Sequence, residues 1–426
     1  MILGDAMTNT SDLPSAPSAP SIPREIWVLV VAAFCVAIGF GLVAPVLPAY
    51  ARSFDVGVQA AAAIISVFAV MRLLFAPAGG ALVVRWGERS VYLSGLVIVA
   101  LSTGACALAQ DYWQLLIFRS LGGVGSTMFT VSATALIVRL SPPTIRGRIS
   151  GHYGAGFLLG NILGPVLGGM TSGFGYRVPF LAYAVTLLIA AAVVAWQIPA
   201  ASSPRQDTTT ALPVMTVREA CQGRAYRALL VSSFCNGWST YGSRVALLPL
   251  FAVTVPGMGV GWAGVALTVF AAGDAAALSV AGRLVDVWGR KPLVLIGLVV
   301  NGIATAVIGF STNAPALLTV SFVAGVGAGI LIPAQQACAA DVIGHERSGG
   351  KVLAAVQMAQ DAGTIVGPIL AGMVADIVGF SWAFGIAGVL MVIAVAAWLP
   401  APETLPVVVE HDGPYGDPVA DPPLPS

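Results

Sequence analysis

Two stretches of this chain, 202 positions apart, repeat one another. Gly80-Ala-Leu-Val-Val84-Arg85-Trp86-Gly87-Glu88-Arg89 aligns with Gly282-Arg-Leu-Val-Asp286-Val-Trp288-Gly289-Arg290-Lys291. Gly123-Val-Gly125 aligns with Gly325-Val-Gly327 at the same offset, and Gly160-x-x-x-Gly164-Pro165 with Gly363-x-x-x-Gly367-Pro368 one residue out of step. Each copy lies in a long hydrophobic run, so the chain reads as two related units that pack on one another.

The runs are too long and too apolar for a water-soluble core. The sequence is 57% hydrophobic and 9% charged, with mean hydropathy +0.89, where soluble domains carry roughly 25% charged residues. A helix crossing hydrocarbon needs about 20 apolar residues. Twelve runs qualify: 26–48, 59–83, 90–109, 113–138, 150–172, 178–198, 227–254, 260–284, 291–311, 314–342, 350–376 and 381–399. They are continuous, whereas a β-barrel alternates over short segments. The expected fold is an all-α membrane protein, with twelve transmembrane helices in two pseudo-symmetric six-helix bundles. Two halves around a central site suit a transporter.

Charge placement gives an orientation. Of 20 Lys/Arg, Arg52 and Arg177 fall on one side, Arg72, Arg119 and Arg244 lie inside spans, and the rest fall on the other side. The positive-inside rule then places both termini in the cytoplasm of a plasma-membrane protein. The predicted organisation is a disordered cytoplasmic tail 1–23, an N-terminal bundle 24–198, a cytoplasmic linker 199–226, a C-terminal bundle 227–399 and a disordered acidic tail 400–426. No basic stretch with a short apolar core and cleavage site precedes the first span, which argues against a cleaved signal peptide. Cys35, Cys106, Cys235 and Cys338 lie in spans and Cys221 in the linker, which suits small buried hydrophobes better than disulfides or metal ligands.

The loop Gly282-x-Leu284-x-Asp286-x-x-Gly289-Arg290-Lys291 matches the signature G-x-L-x-D-x-x-G-R-K, and on it the chain resembles the major facilitator superfamily over about 24–399. The first-half copy departs from the signature at Val84, in place of the acid, and at Glu88, in place of a basic residue. The resemblance implies that this acid steadies the outward-facing arrangement, a role Val84 cannot fill. Read from the residues alone, the glycines permit a tight reversal and the basic residues fix topology. Offset 202 also pairs Glu88 with Arg290 and Arg139 with Asp341, with signs exchanged. Ion pairs Glu88–Arg139 and Arg290–Asp341 are therefore expected, acting as a bias between conformations.

Span 5 carries Gly160-x-x-x-Gly164-Pro165-x-x-Gly168-Gly169, similar to the superfamily's G-x-x-x-G-P-x-x-G-G of cation-exchanging exporters. Small residues one turn apart also serve plain close packing. Gly39-x-x-x-x-x-Pro45-Val46-Leu47-Pro48 resembles the first span of twelve-helix drug–proton exporters. Leu115-x-x-x-Arg119-x-x-Gly122-Gly123-x-Gly125 resembles L-x-x-x-R-x-x-Q-G-x-G, with glycine for glutamine. That resemblance implies proton coupling for Arg119; an arginine snorkelling to the membrane face is the other reading.

Ionisable residues inside spans normally face a cavity or a partner. Arg72, Arg244, Asp274 and Asp361 are such residues, and Arg72 and Asp274 are equivalents at offset 202. The expected fold sets Arg72 near Asp361, and Arg244 near Asp274 or Asp361. An apolar setting favours a protonated carboxyl and a nearby guanidinium favours the carboxylate, so Asp361 and then Asp274 are the candidate proton carriers. A fixed ion pair that never titrates is the alternative. The resemblance places substrate near the membrane midplane, with Phe40, Phe129, Trp238, Tyr241, Gln335 and Gln336 as candidate lining. Such aromatics suit lipophilic compounds, cationic ones included.

No phosphate-binding G-x-x-x-x-G-K-[S/T] loop occurs, and His152, His345 and His411 lack metal-ligand spacing. No metal, cofactor or nucleic-acid partner is expected, and no clustered nucleophile and base suggests an intramembrane enzyme. The partners expected are the lipid bilayer, a small-molecule substrate and protons, with the chain acting as a monomer. The expected function is proton-coupled efflux of lipophilic compounds by alternating access. The alternative is a symporter or facilitator importing a small metabolite.

Overall fold

The computed structural model describes residues 22–141, 146–198, 213, 215–344, 347 and 349–405. The expectations for the N-terminal tail through residue 21, for 199–212 of the linker and for the tail beyond residue 405 lie outside the described residues, as do His345 and His411. The described residues form helices and no strand. In chain order the spans are α1 (Arg24–Val43), α2 (Val58–Trp86), α3 (Glu88–Ala107), α4 (Tyr112–Leu140), α5 (Arg146–Thr171) and α6 (Arg177–Gln197). After them come α7 (Arg224–Gly237), α8 (Val260–Trp288), α9 (Arg290–Ile308), α10 (Ala314–Ile343), α11 (Gly350–Val378) and α12 (Phe380–Trp398).

Among the described residues, eleven of these helices are individually long and apolar enough to cross a membrane. The seventh span is broken: α7 passes into a π-helical stretch, Trp238–Leu247, and then a short helix, Leu248–Ala252, that starts with Pro249 near its N-terminus. Wide π turns inside helices recur at functional sites, and this one carries Tyr241 and Arg244. The equivalent end of the first span is also broken, with Pro45 and Pro48 preceding or entering a short helix, Leu47–Arg52.

The repeat seen in the sequence is a repeat of construction. α1 packs on α5 as α7 packs on α11, α2 on α4 as α8 on α10, and α3 on α6 as α9 on α12. Asp111 caps α4 by accepting the Gln114 N–H at 2.8 Å, and 202 residues on Asn313 caps α10 by accepting the Ala316 N–H at 3.0 Å. Such caps satisfy orphan amides at a helix start. Gly87 and Gly289 are single-residue links with φ of +79° and +96°, backbone that a side chain would strain. Tryptophans ring both faces of the molecule. Trp86, Trp196 and Trp288 are exposed at the ends near the chain termini, and Trp113, Trp262 and Trp382 at the opposite ends. Paired belts of this kind mark the two membrane–water boundaries.

The glycine signature of the fifth span has a visible use. A methyl at Gly164 would lie 2.6 Å from the Ile38 carbonyl oxygen and 2.7 Å from Gly41 Cα, so α5 rests directly on the α1 backbone. Gly367 and Gly242 repeat that contact between α11 and the π-helical stretch. Gly169 turns instead toward the other half, meeting Gly261 and Gly264 of α8, and Gly372 of α11 meets Gln59 of α2.

Candidate functional site

The two bundles meet through α2 with α11 and α5 with α8, and their tight contacts lie at the ends away from the chain termini. There Asp376 of α11 accepts the Val58 N–H at 3.0 Å and the Gln59 N–H at 2.8 Å, holding the first turn of α2 with a carboxylate. Thr268 of α8 donates to the Ile162 carbonyl of α5 at 3.0 Å. Toward the terminal face the same four helices lose cover: five consecutive residues of α2, Leu74 to Ala78, are exposed, as are Gly154 and Ala155 of α5, Gly282 and Arg283 of α8, and Leu353 and Ala354 of α11. The halves are therefore closed against each other on one face and parted on the other.

Between them lie two chambers, of about 540 and about 300 Å³. Both are within the range of small-molecule sites, roughly 300–1,000 Å³. They share Phe40, Asn161, Tyr241, Val245 and Gln360 in their walls, so they adjoin across the pseudo-symmetry axis. The larger is lined by Arg72, Arg119, Asp361, Phe129 and further aromatics, and the smaller by Arg244, Asp274, Asn236 and Phe270.

The polar groups form two sets, each built on one of a pair of repeat-equivalent rings. In the first, the Arg119 guanidinium lies 4.2 Å from the centre of the Phe68 ring. In the second, the Arg244 guanidinium lies 3.7 Å from the Phe270 ring. Phe68 and Phe270 are themselves 202 residues apart, and one helical turn beyond them stand Arg72 and Asp274. A cation over an aromatic face is attracted to the ring, most strongly when desolvated, and Arg119 and Arg244 are only 5% and 1% exposed.

The partners of the two buried arginines differ. Arg244 donates to Asn301 Oδ1 and Thr305 Oγ1, both at 3.1 Å, while its Nε and Nη1 and the facing Asp274 Oδ1 have no hydrogen-bond partner among the described residues. Arg119 makes no hydrogen bond or ion pair among the described residues, and its Nε is fully buried. Asp361 accepts a hydrogen bond from Gln357 Nε2 at 3.0 Å. Arg72 and Asp361 line one chamber without an ion pair between them, and Arg244 faces Asp274 in the other.

Phe40, Phe129 and Tyr241 line these chambers, but three expected lining residues do not. Trp238 is buried against the α11 backbone, its Cα 3.0 Å from where a methyl on Gly367 would lie. Gln335 is buried and donates to Ser232 Oγ at 2.7 Å, tying α10 to α7. Gln336, the next residue along α10, points away and is exposed. Sequence reasoning also missed Phe68, Phe270, Asp376 and Glu403. The two phenylalanines were open to discovery through the same offset that exposed the loops. The other two acids sit at helix ends, where no pattern separates a cap from an ordinary surface charge.

At the terminal face the two loops are held differently. Arg139 Nη1 lies 3.7 Å from Glu88 Oε2 in the first half. In the second, Arg290 Nε donates to Asp341 Oδ2 at 2.9 Å, its Nη1 lies 3.4 Å from Asp286, and the same Nη1 donates to the Val285 carbonyl. Glu403, just past α12, accepts the Arg290 N–H at 2.8 Å and the Lys291 N–H at 3.0 Å. Lys291 Nζ donates to the Leu399 and Ala401 carbonyls, and Thr404 Oγ1 to Asp341.

A family model described as Major Facilitator Superfamily matches residues 29–268 and 229–421. Quinolone resistance protein NorA of Staphylococcus aureus is 29% identical over 157 residues, a match covering 37% of this chain and 40% of that protein. Tetracycline resistance protein, class B, of Escherichia coli is 27% identical over 346 residues, covering 78% of this chain and 84% of that protein. Among solved structures, an inward-facing, unoccupied bacterial homolog of the human lysosomal transporter Spinster superposes with TM-score 0.74 at 16% identity, covering 89% of this chain and 97% of that one. A POT family transporter in complex with 5-aminolevulinic acid gives TM-score 0.73 at 10% identity, covering 88% and 95%. At those identities the likeness is one of fold.

Proposed function

Because this chain belongs to the Major Facilitator Superfamily and is a multi-pass membrane transporter, we propose that it exports lipophilic small molecules across the plasma membrane in exchange for protons. Both termini then face the cytoplasm, and the parted face opens the chambers to that side. The observation that carries the reading is the pair of embedded carboxylates, Asp361 and Asp274, each in a chamber it shares with a guanidinium. A carboxylate embedded in an apolar bundle is costly and commonly marks an ion pathway. As the halves rock, Asp361 of the second half moves relative to Arg72 and Arg119 of the first, whereas Asp274 and Arg244 share one half and part only if the π-helical stretch shifts against α8. The carboxyl holds a proton when the guanidinium is far and releases it when the guanidinium is near.

The relatives' names support the direction. NorA and the class B tetracycline protein are resistance proteins, which fits removal of a compound from the cell. The Gly160–Gly169 signature supports it mechanically, since it seats α5 on α1 and on α8 at once and so couples the substrate-lining helices to the closing interface. Arg119, Arg72 and Arg244 set the charge of the chambers, and Arg290–Asp341 and Glu88–Arg139 bias the terminal-face loops.

The test is proton flux in inverted membrane vesicles, energised and then challenged with lipophilic compounds. Collapse of the pH gradient by particular compounds, lost in Asp361→Asn, supports the reading. Unchanged pH-driven transport in that variant rejects Asp361 as the carrier, and the same result in Asp274→Asn rejects both. Silence across the panel, with the protein shown to be inserted, turns the assignment to import of a narrow metabolite.

A further inference from the structure

The repeat puts opposite charges one turn beyond two equivalent rings, while the arginines over those rings come from different spans, since offset 202 takes Arg119 to Ser321 and Arg244 back to Leu42. In the second half, a buried arginine lies over Phe270 and a carboxylate, Asp274, stands one turn along the same helix. In the first half, a buried arginine lies over Phe68, and the residue one turn along is Arg72. The second site carries its own counter-charge; the first carries two guanidiniums and none from its own helices.

The larger chamber contains Arg72, Arg119 and, from across the interface, one carboxylate, Asp361, already engaged by Gln357. Arg119 is the more telling of the two arginines. It is 5% exposed, lines the chamber, and lies over the Phe68 ring with no hydrogen bond or ion pair among the described residues. A desolvated guanidinium is costly without an acceptor, and five N–H groups in a planar fork match a carboxylate. The rest of the wall mixes aromatic rings, Phe40, Phe68, Phe129 and Tyr241 among them, with neutral polar side chains such as Thr130 and Asn161.

We infer that the larger chamber binds amphiphilic organic anions, with a carboxylate set against Arg119 on the Arg72 side and a flat ring system between the aromatic walls. A volume of about 540 Å³ accommodates two to three fused rings. Aromatic walls alone suit cations equally well, and it is the exchanged charge at position 72 that turns the preference. The inference rests on the transport reading above and names the class of compound it carries.

The test uses the full chain in lipid nanodiscs and equilibrium binding of three matched probe types. These are 2-naphthoate and anthracene-2-carboxylate, their primary amides, and their aminomethyl cations, with empty nanodiscs subtracted. The acids are expected to bind at least tenfold tighter than the amides, with the cations weakest. Arg119→Gln should lower acid affinity about tenfold and leave amide binding unchanged, with Arg119→Lys intermediate. Should Arg119→Gln fail to insert, Arg72→Gln, at a half-buried position, carries the same expectation with a smaller loss. Equal binding of acid and amide, tightest binding of the cation, no binding by any probe, or loss of acid and amide alike would each overturn the inference. Vesicle flux separates it from the export reading. Cations that bind and collapse the pH gradient overturn the anion site and leave export standing. Acids that bind through Arg119 yet never respond to a pH gradient leave the site standing and overturn proton-driven export.

Discussion

The loop between α2 and α3 and the loop between α8 and α9 share a turn and differ in how many contacts hold it. Both reverse through one glycine of positive φ, Gly87 and Gly289, after a tryptophan exposed at the membrane boundary. The first is held by an ion pair at 3.7 Å and by Arg89 donating to the Ala195 carbonyl at 2.6 Å, and Val84, at the acid's position, is 79% exposed. The second is gripped from α8, α10 and the segment after α12 together. Backbone geometry was therefore kept by both copies, while the charge network was elaborated in one. Both loops are tied to their own bundles, the second by more contacts than the first among the described residues.

The largest expected effect comes from removing the centre of the tighter network. The Arg290 and Asp341 side chains are 10% and 16% exposed, against 23% and 25% for Arg139 and Glu88. Breaking a buried pair costs about 3–5 kcal/mol, whereas exposed pairs contribute roughly 0–1 kcal/mol. Arg290→Met should lower the unfolding temperature in detergent far more than Arg139→Met. Equal losses would mean that the two loops are held alike after all.

Next come the glycine seams. A methyl on Gly168 overlaps the Leu42 carbonyl of α1, whereas α11 already carries a buried alanine, Ala371, at the matching place. Gly168→Ala should therefore part α1 and α5 at a cost of about 1–3 kcal/mol. Ala371→Gly only removes a methyl, at about 1 kcal/mol. Thermal unfolding of the two variants side by side checks the order. A tolerated Gly168→Ala would show that the seams are not equally tight.

The fold was legible because a membrane restricts the choice to spanning helices and because the repeat doubled every signal. Among the described residues, eleven spans contain one unbroken helix long enough to cross a membrane. The seventh does not, since hydropathy reports the length of a run and is blind to the π-helical turn around Tyr241. At the site, ionisable residues inside spans identified the chambers, because their burial is costly whatever they touch. Which partner each residue takes was not legible. Trp238 and Gln335 have the composition of lining residues, but the rotation of α7 and α10 decides that one packs on α11 and the other bonds Ser232. Glu403 was taken with an acidic tail, since a cap and a surface charge look the same in sequence.

Glu403 gives the third test. Burial alone would raise its carboxyl, but hydrogen bonds from the Leu405, Arg290, Lys291 and Thr404 N–H groups hold it below the ordinary value of 4.5. A depressed carboxylate contributes stability above its unfolded value and loses it as pH falls through its folded value. Wild-type protein should therefore lose stability on acidification below about pH 4.5, and Glu403→Gln should show less of that loss. At neutral pH the variant should be weaker by about 1 kcal/mol, the scale of a helix cap. The first half has no acid at the positions following its sixth span, Pro199 to Ser203, so no variant there should change the acid limb. An unchanged acid limb in Glu403→Gln would remove the segment after α12 from the network.

The smallest effect probes the exchange of sign itself. Glu88 and Arg139 hold the charges that Arg290 and Asp341 hold in reverse, and an ion pair of this exposure is nearly indifferent to its direction. Glu88→Arg alone sets two guanidiniums against each other and should cost a few tenths of a kcal/mol, as like-charge neighbours do. Combining it with Arg139→Asp should recover most of that loss. Adding Val84→Asp should then supply the i,i+4 partner that Asp286 gives Arg290, whereas Val84→Asp in the otherwise native loop faces Glu88 and should destabilise. A double-mutant cycle on unfolding temperature, repeated at high salt, reads the coupling. Recovery in the triple variant means the first loop has kept the geometry of the second and lost only its charges. Failure to recover means that the loop backbone has drifted as well, and that one shared turn is all the two copies retain.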